Sequence, residues 1–397
     1  MIIQVANRTN GVDEYYFSKK LQEIDLMNRQ GKEVINLGIG APDRMPPGDV
    51  IFTLIKETQQ SDNHAYQSYR GIKELRDGFA GWYKKYYQVE LDPDKEIQPL
   101  AGSKEGILLL SLAFLNKGDK VLVPDPGYPT YSSAALLAEA DILYYDLKEE
   151  NNWMPDFKQL ETMDLSGVKM MWINYPNMPT GAKASMELYE QLVAFGLEHR
   201  ILICNDNPYS FILNEEHLSI LKVKRAKECC VELNSLSKAH NMSGWRIGMI
   251  AGEADVVAQV LKVKSNMDSG MFKPLQLAAV NALAQSEDWY NQLNKEYQER
   301  KKLAGKIFDL LNVKYDKNSG GMFLWGKVDR RWKNGEELSE EILQQARVFI
   351  TPGFIFGSNG AQYLRISLCA SGKVLQEAAD RIRKYLHVTD LRHGSWC

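Results

Sequence analysis

The sequence predicts an α/β protein that has a large, mainly parallel sheet sandwiched by helices and a smaller α+β domain. Between about residues 96 and 252, short apolar runs end in polar clusters and are followed by longer helical patterns, which is typical of strands joined by crossover helices. The last third changes character, because short strands there alternate with amphipathic helices. No Ser/Gly-rich or Pro-rich linker separates the two parts, so we expect them to share an extensive interface.

The large sheet is predicted from short apolar runs. These are residues 97–101, 120–123, 169–173, 201–204, 229–233 and 245–251. Helical patterns such as 104–115 and 186–199 lie between them. Parallel sheets bind ligands beyond the carboxyl ends of their strands, where loops and helix N-termini converge. The polar cluster after each strand is therefore where we expect the chemistry.

The smaller domain follows a charged helical stretch near residues 291–311. Its predicted strands are residues 322–328, 348–351 and 363–368. The last predicted helix, 373–386, is amphipathic, because apolar residues recur on one of its faces. They are Val374, Leu375, Ala378, Ile382 and Leu386.

Charge and composition narrow the class of protein. Lys plus Arg is 48 and Asp plus Glu is 51, which gives a formal net charge of −3 and no global positive field for nucleic acid or anionic lipid. The longest apolar stretch, residues 106–115, is about half of the roughly 20 residues that a membrane helix needs. The first residues lack the pattern of a secretory signal, so we expect a cytoplasmic protein. The cysteines and histidines show no metal-ligand spacing, so no metal site is expected.

Two polar clusters at strand ends suggest chemistry. The turn 101–106 joins a strand to a helix, and its small residues and free amides could cradle a phosphate. It also fits an ordinary helix start with Ser103 as the N-cap. Asp206 ends another buried strand and Tyr209 follows three residues later, so a carboxylate could keep a ring nitrogen protonated while a phenol donates to a ring oxygen. Asp206 could equally cap a loop.

A third cluster spans residues 234–248. Lys238 lies in a loop after a buried strand, amid hydroxyl groups, and Arg246 follows eight residues later. This combination has the ingredients for a Schiff base beside a phosphate clamp. A lone lysine is usually a solvated surface group, so the combination is what favours the chemical interpretation.

Together these motifs resemble the class I/II pyridoxal-phosphate-dependent aminotransferases of fold type I, in family order and over almost the entire chain. The resemblance implies a seven-stranded-type sheet in a large cofactor-binding domain, residues 48–286, with an N-terminal arm and small domain formed by residues 1–47 and 287–397. The matching segments are 36–43 (N-L-G-I-G-A-P-D), 102–106 (G-S-K-E-G), 124–129 (P-D-P-G-Y-P), 206–209 (D-x-x-Y), 235–238 (S-x-S-K), 244–248 (G-W-R-I-G) and 363–367 (Y-L-R-I-S).

The resemblance implies pyridoxal 5'-phosphate as the cofactor, held through a Schiff base with Lys238. It implies Asp206 and Tyr209 as the other catalytic residues. The residues implied to bind the cofactor are Gly102, Ser103, Lys104 and Arg246 around the phosphate, Ser235 and Ser237 beside them, Tyr128 stacked on the ring, Asn177, Asp206, Tyr209 and Lys238 around the ring, and Tyr66.

The family also has substrate-binding residues. By resemblance, Arg365 clamps the substrate carboxylate, and the backbone at Gly40 closes over it. Tyr66 matches the tyrosine that reaches the phosphate of the neighbouring subunit. The resemblance therefore implies a homodimer with shared active sites.

One position departs from the family pattern. The family reads N-P-T-G where residues 177–181 read N-M-P-T-G, so Met178 replaces the asparagine that donates to the ring hydroxyl of the cofactor. A thioether cannot donate a hydrogen bond. We predict that loss of this donor raises the pKa of the Schiff base, unless Asn177 shifts into the role.

The activity that the resemblance implies is transfer of an amino group from an L-amino acid to a 2-keto acid, with glutamate and 2-oxoglutarate as one pair. A β-eliminating lyase of the C–S type, or a decarboxylase, would use the same lysine, acid and arginine, so motifs do not separate these activities. A regulatory protein would need a DNA-binding module, and the family motifs begin near Asn36. The sequence keeps the full set of site residues, which argues against a non-catalytic scaffold. Residues 264–270 resemble the branch that contains aspartate and LL-diaminopimelate aminotransferases, which hints at a polar or acidic amino donor.

Overall fold

The computed structural model describes residues 3–11 and 16–393. The predicted N-terminal arm and small domain include residues 1–2, 12–15 and 394–397, which lie outside the described residues. The strands are β1 (Ile35–Asn36), β2 (Ile97–Leu100), β3 (Lys120–Asp125), β4 (Asp141–Asp146), β5 (Val168–Ile173), β6 (Leu202–Asp206), β7 (Cys230–Ser235), β8 (Gly248–Gly252), β9 (Lys314–Tyr315), β10 (Phe323–Lys327), β11 (Val348–Phe349), β12 (Thr351–Pro352) and β13 (Tyr363–Ser367).

Helices cover these strands. They are α1 (Tyr16–Arg29), α2 (Gly48–Thr58), α3 (Lys73–Tyr87), α4 (Ser103–Phe114), α5 (Thr130–Leu137), α6 (Phe157–Thr162), α7 (Met186–His199), α8 (Ala254–Lys264), α9 (Lys273–Leu283), α10 (Glu287–Leu310), α11 (Gly335–Ala346) and α12 (Gly372–His393). No helix in the described part of the chain is long and apolar enough to cross a membrane.

The main sheet has seven strands in the order β2-β8-β7-β6-β5-β3-β4. All neighbouring pairs are parallel except those of β8, which runs antiparallel to both β2 and β7. This confirms the predicted α/β class with a mainly parallel sheet.

Two details of the sheet differ from the prediction. Strand β4 was not predicted, because it lies at the edge of the sheet, is only partly buried and lacks a continuous buried apolar run. Strand β8 begins at Gly248, three residues later than predicted, because Ser243–Trp245 form a 3₁₀ turn and Arg246 takes a left-handed φ of 58°.

The main sheet is buried on both faces. Within β5, Met170 packs into the core beneath α4, α5 and α8, whereas Met171 packs into the core beneath α2, α3, α7 and α9. This alternation follows from the two-residue period of a strand. Two covered faces explain why the strands read as nearly unbroken apolar runs.

The second sheet has four antiparallel strands in the order β12-β13-β10-β9, and β1 pairs with β11 in a separate parallel ribbon. The predicted strand 348–351 is therefore two strands: β11 pairs with β1, and β12 pairs with β13. The helices α10, α11 and α12 enclose the core of this sheet, which we call the second core; it includes Leu324, Ile366 and Leu375.

Helix α10 joins the two cores. Tyr290, in its first turn, packs into the core of the main sheet, whereas Ile307 and Phe308, near its end, pack into the second core. The predicted domain ranges, 48–286 and 1–47 with 287–397, stay a prediction.

Candidate active site

A cavity of about 500 Å³ opens where β5, β6 and β7 end, which is the edge of a parallel sheet at which ligands bind. The second sheet closes it from the other side through Phe323 and Arg365. The lining residues are Leu21, Gly38, Ile39, Gly40, Ser103, Lys104, Tyr128, Tyr131, Asn174, Met178, Asp206, Pro208, Tyr209, Ser235, Ser237, Lys238, Ser243, Arg246, Phe323 and Arg365.

Asp206 ends β6 inside this cavity and is 5% exposed. Its Oδ2 accepts a hydrogen bond from the hydroxyl of Tyr131 at 3.0 Å, whereas its buried Oδ1 has no hydrogen-bond partner among the described residues. Burial raises the pKa of Asp206 to about 7. A buried acceptor without a partner is costly, so this carboxylate fits a ligand that brings a protonated ring nitrogen.

Lys238 lies three residues after β7, and its Nζ donates to the backbone oxygen of Gly40 at 2.6 Å. Burial lowers the pKa of Lys238 below its ordinary value; Cys369 opposes this shift and Arg365 adds to it. A lysine amine with a lowered pKa is a better nucleophile near neutral pH, which suits a Schiff base.

Gly102, Ser103 and Arg246 form a cradle for an anion. Ser103 begins α4, and Gly102 precedes it with a φ of +82°, a conformation that favours glycine. A Cβ at Gly102 would clash with Nη2 of Arg246, so the missing side chain makes room for the guanidinium. Free amides at a helix N-terminus and a guanidinium together bind phosphate.

Hydroxyl groups complete this cradle. The Oγ of Ser235 donates to the Oγ of Ser237 at 2.8 Å, and Nη1 of Arg246 lies 3.4 Å from the same Ser237 oxygen. Nη1 also donates to the backbone oxygen of Ser243 at 2.9 Å, which fixes the guanidinium beside α4.

Aromatic side chains line two sides of the cavity. The ring of Tyr128 meets the ring of Tyr131 edge-on at 5.6 Å, and Tyr131 stacks on Trp172 at 4.8 Å. On the other side, Tyr209 meets Phe323 edge-on at 5.8 Å. Burial raises the pKa of Tyr209 well above its ordinary value, so its hydroxyl stays protonated and able to donate.

Arg365 faces the cavity from β13. Its guanidinium carbon lies 4.1 Å from the ring centre of Phe323 and 4.6 Å from that of Phe356, and Nη2 donates to the backbone oxygen of Gly38 at 2.7 Å. The two rings hold the guanidinium plane in place. A fixed guanidinium fork binds a carboxylate with two parallel hydrogen bonds.

The loop after β5 holds the side chain of Asn177 in a hydrogen-bond network of its own. The Nδ2 of Asn177 donates to the backbone oxygen of Asn174 at 3.1 Å, and its Oδ1 accepts from the backbone nitrogen and the hydroxyl of Thr180. Asn177 does not line the cavity, because these bonds hold its amide within the loop. The contact of Asn177 with the cofactor therefore stays a prediction, and in this structure the Asn177 amide lies outside the cavity lining.

Asn174 and Met178 are the residues of that loop that reach the cavity. The Nδ2 of Asn174 donates to the backbone oxygen of Asp206 at 2.5 Å, and its Oδ1 accepts from the backbone nitrogen of Met178 at 2.8 Å. Asn174 therefore positions its neighbours, and the thioether of Met178 lines the cavity at the position where the resemblance implies an amide donor.

The structure brings most of the predicted site residues into one cavity. Gly102 lies behind its wall, beneath Arg246. Tyr66 does not line the cavity of its own chain and is 91% exposed, so its contact with a neighbouring subunit stays a prediction.

Several lining residues were not predicted. Asn174 could have been found, because it follows β5 directly, and Tyr131 could have been found from its place three residues after Tyr128. Leu21 and Phe323 carry no local signal, because α1 and β10 reach the cavity only through tertiary packing.

The sequence matches the family described as aminotransferase class I and II over residues 32–382. It is 39% identical over 388 residues to an LL-diaminopimelate aminotransferase of Aquifex aeolicus, covering 96% of this chain and 99% of the relative. A relative of the same name from Moorella thermoacetica is 36% identical over 386 residues, covering 97% and 99%.

Solved structures also match this chain over nearly its full length. Substrate-bound BacF from Bacillus subtilis superposes with a TM-score of 0.91 at 33% identity, covering 97% of this chain and 98% of that one. Aspartate aminotransferase from Thermotoga maritima superposes with a TM-score of 0.88 at 28% identity, covering 96% and 100%.

The fold and the cavity define a fold type I enzyme, and the chain belongs to the class I and II aminotransferases. The protein is an aminotransferase, and members of its family use pyridoxal phosphate. The residues present fit that cofactor. The unpartnered Oδ1 of Asp206 suits a protonated pyridine nitrogen, and the cradle at Gly102 and Arg246 suits a phosphate.

Proposed function

We propose that this aminotransferase moves an amino group from an L-amino acid to a 2-keto acid, with glutamate and 2-oxoglutarate as one of its pairs. LL-diaminopimelate, which the names of its relatives contain, is the first candidate for the other amino acid. The observation that carries the proposal is the Arg365 guanidinium, held by Phe323 and Phe356 in the cavity that also contains Lys238.

Arg365 binds the α-carboxylate of the amino acid in this proposal. Because its fork is fixed by two rings and by Gly38, the bound substrate has one orientation, with its Cα toward Lys238. The backbone at Gly40 closes this part of the cavity, and a Cβ there would clash with the ring of Phe323.

When bound, pyridoxal phosphate would supply an electron sink that makes the Cα proton of the substrate acidic. Asp206 holds the proton on the ring nitrogen, which requires the carboxylate to be ionised. Lys238, whose amine has a lowered pKa, takes the proton from Cα as a base and returns it as an acid. Tyr209 would donate to the ring oxygen of the cofactor, and Ser103 and Arg246 would hold its phosphate.

We also propose that the active unit is a homodimer in which Tyr66 reaches the site of the neighbouring subunit. The surface around Tyr66 supports this, because two segments that pack together there, residues 66–69 and 267–272, both carry exposed apolar side chains. Gly270, with a φ of +85°, lies against the backbone of Gln67 and Ser68, so residues near 270 pack beside this surface. The exposed side chains are Tyr66, Tyr69, Met267 and Phe272.

The test is the absorbance spectrum of the cofactor-loaded protein. Adding L-glutamate alone should convert the cofactor to its amine form, and adding 2-oxoglutarate should restore the original spectrum. Replacing glutamate by LL-diaminopimelate should give the same conversion. Release of pyruvate and ammonia without the reversible change would contradict the proposal and favour a lyase. A cytoplasmic location stays a prediction.

A further inference from the structure

A second cavity of about 650 Å³ lies between the main sheet and the second core, apart from the active site. It is bounded by Lys183 in the loop after β5, by the loop after β6, by residues 290–302 of α10, and by β9 with the turn that follows it. Its size is within the usual range for small-molecule sites. The charged residues that line it are Lys183, Glu215, Lys301, Lys302 and Lys317.

Lys301 is the central charge of this cavity. Its Nζ donates to the backbone oxygen of Ser319, and its side chain is half-buried. Burial lowers the pKa of Lys301 to about 8; Asp316 opposes the shift, and Lys183 adds to it. The ammonium groups of Lys301 and Lys183 therefore repel each other in a partly desolvated space.

Carboxylates compensate these lysines only in part, because Asp316 favours the charged form of Lys301 without forming an ion pair with it. Within the described ranges, neither Lys183, Lys301 nor Lys317 forms an ion pair. Lys302 pairs with Glu299 at 2.7 Å on the exposed side of α10. Four lysines and one glutamate line the cavity, so it has an excess of positive charge. A half-buried ammonium near a second one is unfavourable unless an anion binds between them.

The wall around these charges is fixed before any ligand arrives. The Nδ2 of Asn294 donates to the backbone oxygen of Phe211 at 2.8 Å, and its Oδ1 accepts from the backbone nitrogen of Leu213. Opposite it, the backbone nitrogen of Gly320 donates to the oxygen of Gly181 at 2.7 Å. A pre-formed wall lowers the entropy cost of binding.

We propose that this cavity binds a small anion with two or more negative charges, held by Lys183 and Lys301, with Lys302 and Lys317 at its rim. Phosphate esters and polycarboxylates share this chemistry. The anion would lie between loops of the main sheet and the turn at residues 317–320, which leads into β10. Phe323 of β10 lines the active site, so the bound anion would brace an element of that site. The proposal does not depend on the identity of the amino acid substrate.

Isothermal titration calorimetry on the cofactor-loaded protein tests this, with pyrophosphate and citrate as separate probes and the ionic strength fixed with NaCl. The cofactor fills the cradle at Arg246, and its absorbance shows that it stays bound. We expect Lys301→Met and Lys183→Met each to weaken binding at least about tenfold, as expected for loss of a charged partner. The control is Lys306→Met, which removes an exposed lysine of the same helix outside the cavity and should bind as the wild type does.

Binding of pyrophosphate alone would identify phosphate-bearing ligands, binding of citrate alone would identify polycarboxylates, and either result supports the proposal. Absence of binding heat for both probes would overturn it. So would an unchanged affinity in Lys301→Met and Lys183→Met, or an equal loss in Lys306→Met. Lys301→Arg keeps the charge and should retain binding, and thermal unfolding without anion checks that each variant is folded. If Lys301→Met fails to fold, Lys183→Met alone decides.

Discussion

The sulfur of Met178 lies 3.2 Å from Nη1 of Arg365, so a thioether touches the guanidinium proposed to bind the substrate carboxylate. Sulfur is a weak acceptor and cannot donate. The amide of Asn177 is held within its loop, and that of Asn174 is bonded to the backbone of Asp206 and Met178. Both amides are thus engaged elsewhere, which agrees with our prediction that the ring oxygen of the cofactor lacks an amide donor.

Met178→Asn should therefore lower the pKa of the Schiff base at Lys238 by about one unit, because the new donor makes the ring oxygen less basic and loosens its bond to the imine proton. The measurement is a titration of the visible absorbance of the cofactor-loaded variant. Met178→Leu is the control, since it keeps a similar shape without a donor and should titrate like the wild type. An unchanged pKa in Met178→Asn would refute the role of the missing donor.

Asp206→Asn should stabilise the cofactor-free protein at pH 8. The folded carboxyl keeps its proton up to about pH 7, whereas the unfolded carboxyl loses it near 3.8. Stability therefore falls as the pH rises between these values, and the amide removes this loss, which is on the order of 4 kcal/mol. Urea unfolding of the cofactor-free wild type and variant at pH 4 and pH 8 measures the difference.

The same substitution should have the opposite effect on function. An amide cannot hold a proton on the ring nitrogen, so transaminase activity should fall by at least about a hundredfold.

The stability prediction has its own contradicting outcome. If Asp206→Asn gained no stability at pH 8, burial would not penalise the charged form of Asp206.

Gly102→Ala should weaken cofactor binding, because the added Cβ clashes with Nη2 of Arg246 and displaces the guanidinium. Gly118→Ala is the matched control: its φ of +86° resembles that of Gly102, but a Cβ there meets nothing within 4 Å. Both variants should lose about 1 kcal/mol of unfolding free energy through backbone strain. The cofactor dissociation constant should rise in Gly102→Ala alone, and an equal rise in both would contradict the cradle.

Arg365→Lys should raise the KM for both glutamate and 2-oxoglutarate about tenfold or more, because an ammonium cannot make the two parallel bonds of a guanidinium fork. The cofactor spectrum should be unchanged, since Arg365 is proposed to contact the substrate and not the cofactor. Steady-state kinetics with each substrate varied in turn measures the two values. An unchanged KM for both would remove Arg365 from the substrate site.

Tyr66→Phe should weaken cofactor binding about tenfold if its hydroxyl reaches the phosphate in a neighbouring subunit. Tyr69→Phe removes a hydroxyl from the same surface and should leave the affinity unchanged. Sedimentation of the wild type should give twice the chain mass of 45.2 kDa. A monomer with full cofactor affinity would contradict the shared site.

The α/β class could be predicted because strands buried on both faces read as unbroken apolar runs, as β5 and β6 do. Strand β4 could not, because an edge strand keeps exposed residues, and the division of residues 348–351 into β11 and β12 depends on two different partner strands. Such partners are a tertiary property that no local pattern carries.

The site also has a part that the sequence predicts and a part that depends on tertiary packing. Lys238 and Asp206 stand in short motifs after strands, so the sequence places them at one edge of the sheet. The sequence does not show which asparagine of the loop after β5 reaches the cavity, because the choice between Asn174 and Asn177 depends on the direction of each side chain. The packing of Phe323 against Arg365 joins two strands that are far apart in sequence.

The ribbon formed by β1 and β11 sets the order in which the site can be completed during synthesis. The backbone of Leu37 accepts from the nitrogen of Ser367, so the segment that carries Gly40 has no strand to pair with until the last fifth of the chain has left the ribosome. The residues around the cofactor, from Ser103 to Arg246, emerge much earlier. The wall that carries Gly40 and Arg365 is therefore the last part of the site for which the chain is available during synthesis.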